Sequence, residues 1–270
     1  MKKVSKLLLG VLLLGLAGFC NTAVASDNKG SVGFEQPYFS NADKWKFEVA
    51  SGVRWVPKYE GSDDTEAQWL LFANASFNEG RFWIGTGGIG VEPIQLERLK
   101  IRLGIGYEWG REESDDRKNL RGMGDVDDSF TGKVGISYAL DMIRFGADLS
   151  SAINGDYGTT VTLYAASRVP VTEKLSLSWR LFSQWANDEH MENNFGVSRV
   201  QSARSGKRVY DAEAGFKKAG IEMGLDYRIS EHVGIGAGVG ISRLLGDAED
   251  SPICRDENQI DGRLYLSYGF

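Results

Sequence analysis

The sequence predicts an all-β protein, an antiparallel transmembrane β-barrel of twelve strands, with ten strands as the next choice. Three observations favour this fold class. Apolar and polar residues alternate with a period of two through most of the chain after residue 44. The alternating segments run for roughly nine to thirteen residues, about what a tilted strand needs to cross a bilayer and longer than most soluble strands. Short turns and long polar loops alternate between these segments, as they do in outer-membrane barrels.

The first 25 residues have the layout of a secretory signal peptide. Basic residues stand at the start, an apolar run covers residues 7–19, and small residues at 23–25 form a cleavage site. The apolar run is shorter than the ~20 residues that a membrane-spanning helix needs. We therefore predict export and cleavage after residue 25, an N-terminal arm over residues 26–44, and an outer-membrane β-barrel over residues 45–270.

Charge and cysteine content exclude further classes. The chain has 31 basic and 37 acidic residues, a formal net charge of -6, and an acidic chain lacks the positive field that nucleic-acid binding requires. Its two cysteines are Cys20, which would leave with the signal peptide, and Cys254, so we expect no disulfide. A lipoprotein signal is an alternative for the N-terminus, but Phe19 stands where a small residue is needed before Cys20.

The segment LKIRLGIGYEW shows the alternation that predicts a strand. Leu99, Ile101 and Leu103 point to one face, and Lys100 and Arg102 point to the other, which suits lipid outside and a polar lumen inside. Aromatic residues gather near segment ends, as in an interfacial girdle, at Trp45, Trp55, Tyr107, Trp109, Trp179 and Trp185. The predicted strands are 45–56, 65–77, 81–91, 98–110, 130–140, 143–153, 158–169, 175–185, 210–229, 233–245 and 259–270.

This set is odd in number, whereas bacterial single-chain barrels have an even number of strands. The expected remedies are a break in 210–229 near Lys217 and Lys218, an added strand at residues 31–40, or one segment that is a loop. Glycines in GTGGIG, at 85–90, match a dinucleotide fingerprint, but no helix pattern follows. We expect these glycines to allow close approach of neighbouring strands.

Three loop segments carry the candidate site residues. The first is an acidic loop that could hold Ca²⁺ or Mg²⁺ but is expected to be a solvated turn: Tyr59, Glu60, Gly61, Ser62, Asp63 and Asp64. The second is a basic segment with Gly196, Val197, Ser198, Arg199, Ser202, Arg204, Ser205, Gly206 and Tyr210. The third contains Asp250, Ser251 and Pro252.

The basic segment, residues 195–211, follows a strand that should run outward, so we expect it to cap the extracellular mouth. Its cations Arg199, Arg204, Lys207 and Arg208 are expected to pair with carboxylates such as Asp63, Asp64 and Asp125. Binding of lipopolysaccharide phosphates is the alternative. Serine and glycine within the segment favour a tightly hydrogen-bonded loop, and therefore the internal pairing.

Residues suited to catalysis are few. His190 and His232 are the only histidines, and a Ser-His-acid arrangement would have to use His190. No cluster of His and Cys has the spacing of a transition-metal site. We therefore expect no enzyme activity, no cofactor and no metal.

The three loop segments, in the forms PKYEGSDD, FGVSRVQSARSGKRVY and GDAEDSPI, together with the aromatic terminus LYLSYGF, resemble the MipA/OmpV family of outer-membrane proteins. The resemblance spreads over most of the chain after residue 44 and implies a barrel in the cell outer membrane. One family member is regarded as a scaffold that joins a lytic transglycosylase to a penicillin-binding protein, and others are treated as adhesin-like or permeability-related antigens. The residue Phe270 at the terminus is expected to act as the signal for barrel assembly.

The leading hypothesis is therefore a non-enzymatic scaffold of murein (peptidoglycan) synthesis and turnover, in contact with outer-membrane lipid and lipopolysaccharide. A small-solute pore, suggested by inward charges such as Lys100, Arg102, Arg144 and Asp148, and an adhesin-like surface antigen are the alternatives. Conduction, oligomeric state and the role of the arm are not readable from the sequence.

Overall fold

The computed structural model describes residues 45–270, and the predicted signal peptide and arm, residues 1–44, lie outside the described residues. The described chain forms a closed barrel of antiparallel strands and confirms the predicted fold class and strand number. The twelve strands are β1 (Lys46–Pro57), β2 (Thr65–Phe77), β3 (Phe82–Gly85), β4 (Gly88–Gln95), β5 (Leu99–Glu108), β6 (Ser129–Leu140), β7 (Ile143–Ala152), β8 (Thr159–Pro170), β9 (Leu175–Ala186), β10 (Gly215–Arg228), β11 (Val233–Leu244) and β12 (Asn258–Gly269).

The barrel is an up-and-down meander in which each strand pairs with its neighbours in sequence. Pairing of β1 with β12 closes the wall, with Glu48 opposite Gly269 and Trp55 opposite Gly262. Five short turns join the strands at the end that carries the start of β1, and the long loops lie at the opposite end. By the rule for outer-membrane barrels, the short turns face the periplasm and the long loops face outward.

The two faces of the wall differ as the alternation predicts. Apolar side chains on the outer face are largely exposed, among them Trp69, Leu103, Ile136, Leu181 and Leu264. Their neighbours on the inner face are glycine, serine, threonine and charged residues, so the lumen is polar. A one-layer wall with an apolar exterior is stable only when lipid covers it, which places this barrel in the outer membrane.

The segment 81–91, predicted as one strand, is two strands in the structure. The chain turns back at residues 86–87, and Gly88, with φ of +130°, adopts a conformation that favours glycine. A Cβ at Gly88 would lie 2.0 Å from the carbonyl oxygen of Ile105, so only glycine allows β4 to approach β5 here. This turn, which the sequence reasoning missed, provides the twelfth strand.

The resulting β3–β4 hairpin is much shorter than the rest of the wall. On the β2 side, β3 reaches only the last four residues of β2, Asn74–Phe77. Residues 65–71 of β2 pair with β1 on one side, and no second strand flanks them within residues 45–270. The wall is therefore notched at its outer edge between β2 and β5.

Strand β10 does not break near Lys217, as one of the three expected remedies required. Instead the register shifts between Phe216 and Lys218, where a β-bulge leaves Lys217 as the extra residue. The bulge turns two consecutive lysine side chains, Lys217 and Lys218, toward the inside of the barrel, where both are buried. Without the bulge, alternation would send one of them to lipid.

Three short helices and one turn of 3-10 helix occur in the loops and were not predicted. They are α1 (Arg117–Leu120), α2 (Asp188–Phe195), α3 (Arg199–Ser205) and the 3-10 turn Gly246–Ala248. Within the part of the chain that the structure describes, no helix has the length and apolar character needed to cross a membrane.

Candidate functional site

The long loops at the outer end pack together into one body, here called the cap, made of residues 58–64, 109–128, 153–158, 187–214 and 245–257. Loops that start on opposite sides of the barrel meet in it. Arg111 donates to the carbonyl of Asn194 (2.8 Å), and Gln201 donates to the carbonyl of Met123 (2.7 Å). The cap therefore spans the mouth of the barrel, as predicted for residues 195–211 alone.

Two apolar clusters form the core of the cap. Side chains from four loops make the first, and all are at most 3 % exposed: Tyr59, Leu120, Met123, Val197 and Ile253. The second joins the cap to the strand ends below it and consists of Ala186, Met191, Phe195, Ala212, Leu244 and Ala248. Burial of this kind gives the loops a folded interior.

The acidic loop is a packed part of the cap, so its expected solvation is wrong for its first four residues. The Tyr59 hydroxyl donates to the carbonyl of Ile253 (2.8 Å), and burial raises the pKa of that phenol. Gly61, at φ of +95°, accepts a hydrogen bond from Arg255 N (2.7 Å), and a Cβ there would lie 3.2 Å from Cys254 Cα. Close approach to the loop at 245–257 explains why glycine stands at this position.

Two aspartates of the acidic loop, Asp63 and Asp64, form a cluster with Asp116 and two lysines. Carboxylate oxygens of Asp63, Asp64 and Asp116 lie within 4.8 Å of one another. Two lysines already balance them: Lys58 Nζ is 3.2 Å from Asp64, and Lys118 Nζ is 3.9 Å from Asp63 and 3.8 Å from Asp64. The hydrogen bond from Lys58 lowers the pKa of the Asp64 carboxyl. The cluster is therefore a set of ion pairs between two loops of the cap.

The basic segment folds into a short capped helix. Ser198 is the N-cap of α3 and forms a capping box with Gln201, while Gly206 ends the helix in the left-handed conformation at φ of 74°. The hydroxyl of Ser202 donates to the carbonyl of Lys207 (2.6 Å), and Ser205 Oγ accepts from Lys207 N (3.2 Å). The predicted tightly hydrogen-bonded loop is present, and serine and glycine provide its bonds.

Residues on either side of α3 fix this helix to the cap. Gly196 ends α2, and a Cβ there would lie 2.4 Å from the side chain of Glu192. Val197 pairs with Tyr210 in an isolated antiparallel bridge (N···O 2.7 and 3.0 Å). The hydroxyl of Tyr210 donates to the carbonyl of Asp247 (3.0 Å), and burial raises the pKa of Tyr210 to about 12.

The expected pairing of the basic side chains with Asp63, Asp64 and Asp125 is wrong. Within residues 45–270, no ion pair joins Arg199, Arg204, Lys207 or Arg208 to a carboxylate. Lys207 and Arg208 bind backbone carbonyls of the third segment instead, at Pro252 (3.4 Å) and Asp250 (2.8 Å). Arg199 and Arg204 are exposed on the outer surface, because the helix turns them away from the cap core.

The third segment receives these bonds and reaches the other two. Ser251 is 4 % exposed, and its hydroxyl donates to the carbonyl of Phe195 (2.5 Å). Ile253 follows in the apolar core, where its carbonyl meets Tyr59. The three segments that carry the family resemblance are therefore one structural unit, although about 190 residues separate the first from the last.

Beneath the apolar core lies a buried charged network that the sequence reasoning missed. Glu60 holds Lys217 Nζ with one carboxylate oxygen and Lys218 Nζ with the other, each at 2.8 Å. His190 Nε2 lies 2.9 Å from Lys217 Nζ, and its Nδ1 lies 2.6 Å from the carbonyl of Tyr157. A carbonyl only accepts, so Nδ1 carries the ring proton and Nε2 accepts from the lysine.

This network connects three loops to the wall. Glu60 belongs to the loop after β1, Tyr157 to the loop after β7 and His190 to α2. Both lysines belong to the bulge of β10. The Lys217-Lys218 pair was the signal in the sequence, because two consecutive charged residues interrupt the alternation of a strand. From the sequence alone, this pair indicates only a candidate break between two strands. Lys217 and His190 are 0 % exposed, so neither is open to a solute in this conformation.

The remaining buried ionisable groups of the cap show the same sealing. Arg111 is 8 % exposed, and burial lowers the pKa of its guanidinium to about 10. Cys254 carries the free thiol, and burial raises its pKa to about 11.

At the other end of the barrel Phe270 is 70 % exposed, with its N–H bonded to the carbonyl of Phe47 (2.9 Å) and its ring against Tyr268.

A closed barrel with a lipid-facing exterior, short turns at one end and a packed cap at the other defines an outer-membrane β-barrel protein. The family described as MltA-interacting protein MipA matches residues 49–270, and the chain belongs to this family. No curated protein is significantly similar to the chain in sequence.

Solved structures to which the chain is similar include three outer-membrane proteins. An outer-membrane channel from Pseudomonas putida F1 is 13% identical, with 87% of this chain and 99% of that chain covered and a TM-score of 0.43. OmpT of Vibrio cholerae is 7% identical, with 87% and 100% covered and a TM-score of 0.40. The channel DcaP of Acinetobacter baumannii is 8% identical, with 86% and 99% covered and a TM-score of 0.38.

Proposed function

We propose that this protein is a non-enzymatic outer-membrane scaffold that works with enzymes of murein synthesis and turnover. The proposal names a lytic transglycosylase and a penicillin-binding protein as partner classes. The family description, an MltA-interacting protein, supports the first of these. Contact would take place at the periplasmic end of the barrel, where murein enzymes work.

The observation that carries this proposal is the cap. A diffusion pore needs a continuous path, and here five loops meet over the mouth with an apolar core and a buried ion-pair network beneath it. Opening that path would expose the apolar core of the cap to water, which costs several kcal/mol. A sealed barrel is the expected form of a membrane anchor that presents a surface to other proteins.

The non-enzymatic part of the proposal rests on His190. A catalytic base must reach substrate, and both ring nitrogens of His190 are used by Tyr157 and Lys217 inside the fold. The arrangement is suited to holding the cap in place.

The periplasmic end offers exposed charged turns for contact. Each of the five inner turns carries one exposed acidic residue, namely Glu79, Glu97, Asp141, Glu173 or Glu231. The first of these turns is tightly built, with Asn78, Glu79 and Gly80 all at positive φ, so its side chains are held outward. Rigid turns of this kind present a defined surface at little entropic cost.

Co-purification tests the proposal directly. The protein, with an affinity tag inserted at Ser114 in the cap, is isolated in mild detergent from cells that produce a lytic transglycosylase and a penicillin-binding protein. Both enzymes are expected to elute with it. Charge reversal of Glu79, Glu173 and Glu231 to Lys should reduce their recovery at least five-fold.

The matched control reverses three exposed acids of the cap, Glu189, Glu213 and Asp250, and should leave recovery unchanged. A barrel that is correctly folded but brings down neither enzyme, in repeated trials, contradicts the scaffold.

A small-solute pore is the second candidate, because the lumen carries charged side chains such as Lys100, Arg102 and Asp148. Planar-bilayer recording separates the two functions. The scaffold predicts a silent protein. Steady ion current through the unaltered protein would favour the pore.

A further inference from the structure

The inner face of the wall carries one apolar patch in an otherwise polar lumen. It consists of Ala50, Leu70, Phe72 and Tyr265, on the neighbouring strands β1, β2 and β12. All four are only 5–7 % exposed. Only lumen lies on the inner side of a one-layer wall, so an inward apolar patch is suited to contact with an apolar segment inside the barrel.

The patch lies close to the periplasmic rim. Ala50 follows Lys46, the first residue of β1, by about 13 Å at the rise of ~3.3 Å per residue in a strand. Gly52, between the side chains of Leu70 and Tyr265, allows Tyr265 to lie against the wall, since a Cβ there would be 2.6 Å from Tyr265 Cα. Because the cap closes the other end, a chain segment can reach the patch from the periplasm only.

The chain itself has a segment at that entrance. Residues 26–44 immediately precede β1, and nineteen extended residues span at most ~60 Å, more than the length of a barrel strand. The part from 30 to 43 contains the aromatic residues Phe34, Tyr38 and Phe39, the acids Glu35 and Asp43, and no basic residue. This composition supplies aromatic side chains for the patch and carboxylates for the cations of the lumen.

The lumen offers cations to those acids. Arg180 on β9 is 6 % exposed and lies over the ring of Tyr164 at 4.9 Å. Its guanidinium is 3.6 Å from Glu222 and makes no hydrogen bond within the described residues. Two other inward guanidinium groups are already paired, Arg102 with Glu92 and Arg168 with Asp226. A carboxylate brought in from the periplasm would therefore find hydrogen-bond donors on Arg180.

We propose that residues 26–44 form an internal plug: the arm enters the barrel from the periplasmic end, packs its aromatic side chains on the patch of Ala50, Leu70, Phe72 and Tyr265, and places Glu35 and Asp43 among the lumen arginines. The occupant of the lumen is thus a segment of the same chain. The plug is independent of the murein scaffold, because it concerns the inside of the barrel and requires no second protein.

Thiol labelling of the patch tests the plug. Ala50→Cys is made in a Cys254→Ser background, and the purified protein reacts with a charged, membrane-impermeant maleimide. In the full chain we expect labelling to be at least ten-fold slower than in a variant that lacks residues 30–43. Equal rates in the two proteins, whether both fast or both slow, overturn the proposal, since slow labelling of both would mean that the wall covers its own patch.

A second measurement keeps the arm in place and needs no deletion. Tyr38→Cys in the same background is expected to be protected in the folded barrel and to react at least ten-fold faster after heat unfolding. Ser198→Cys, at an exposed cap position, is the control and should react quickly in both states. Labelling of Tyr38→Cys at the rate of Ser198→Cys would show an arm outside the lumen and overturn the proposal.

Discussion

At the scale of single residues, the most consequential side chain is Lys217. It is fully buried and is held by Glu60 and His190, which come from two different loops. A buried cation of this kind adds little net stability, because its desolvation offsets the attraction, but removal of one partner leaves the other uncompensated. The main effect of the network is therefore to favour one packing of the loops over alternative packings, in which a buried charge would have no partner.

Replacement of Lys217 by Met should loosen the cap strongly. Breaking a buried pair costs about 3–5 kcal/mol, because Glu60 keeps its burial and loses one of its two cations. Limited proteolysis of the cap loops should speed up at least ten-fold. The control is Lys118→Met, whose ion pairs with Asp63 and Asp64 are exposed to solvent and add little stability. Equal cleavage rates in the two variants would contradict this role of Lys217.

The thiol of Cys254 gives a prediction on pH. Burial, followed by the nearby carboxylates, raises its pKa to about 11, against about 8.5 for a free cysteine. The folded protein keeps the neutral thiol where the unfolded chain ionises, so the group favours folding less as pH rises above its unfolded pKa. At pH 8 alkylation of the native thiol should be on the order of 100-fold slower than in denaturant. Similar rates in both states would show that the cap does not enclose this residue.

At the scale of elements, the short helices of the cap are stabilised by hydrogen bonds at their ends more than by their length. Helix α3 has seven residues, too few to be stable alone, and it depends on the Ser198 capping box and the Gly206 terminus. The loop after α1 lies beside α3 in the cap, and its residue Gly122 also has a positive φ (84°). Two glycines with the same backbone conformation thus differ only in what surrounds them.

That difference can be measured by replacing each glycine with alanine. A Cβ at Gly206 meets nothing within 4 Å, so Gly206→Ala should cost only the left-handed conformation, about 1–2 kcal/mol. A Cβ at Gly122 would lie 2.8 Å from the backbone of Arg204, so Gly122→Ala must also push α3 away. Gly122→Ala should therefore speed proteolysis of the cap more than Gly206→Ala. The reverse order would mean that the contact between these loops is not maintained.

At the scale of the whole molecule, closure of the wall depends on the last strand. Strand β12 pairs with β1 over eight register positions, and Phe270 extends that pairing through its bond to Phe47. The expectation that Phe270 acts as the assembly signal remains a proposal. Phe270→Ala should lower the amount of heat-modifiable, folded barrel in the outer membrane several-fold. Leu266→Ala, which removes another outward side chain of β12, is the control and should change it little.

The sequence was sufficient for the wall and insufficient for the cap, and the physical reason is plain. A strand that separates lipid from a polar lumen must alternate, so each of its residues reports its own environment. Cap residues are placed by partners far away in the chain, such as Tyr59 by Ile253 or Lys217 by Glu60, and a single segment does not contain that information. The Ser198–Gln201 capping box was readable as a helix start, whereas the exposed cations beside it suggested ion pairs that do not form.

The short β3–β4 hairpin has a mechanical consequence. Each strand of a closed barrel is normally laced on both sides, so tension around the circumference is shared by two ladders of backbone hydrogen bonds. Strand β3 pairs with β2 at only four positions and with β4 at only four, so the wall is weakest on the two sides of β3. When single molecules are pulled from the membrane by the N-terminus, β1 and β2 should peel away together at a lower force than any later hairpin. Unfolding under force should therefore begin next to β3.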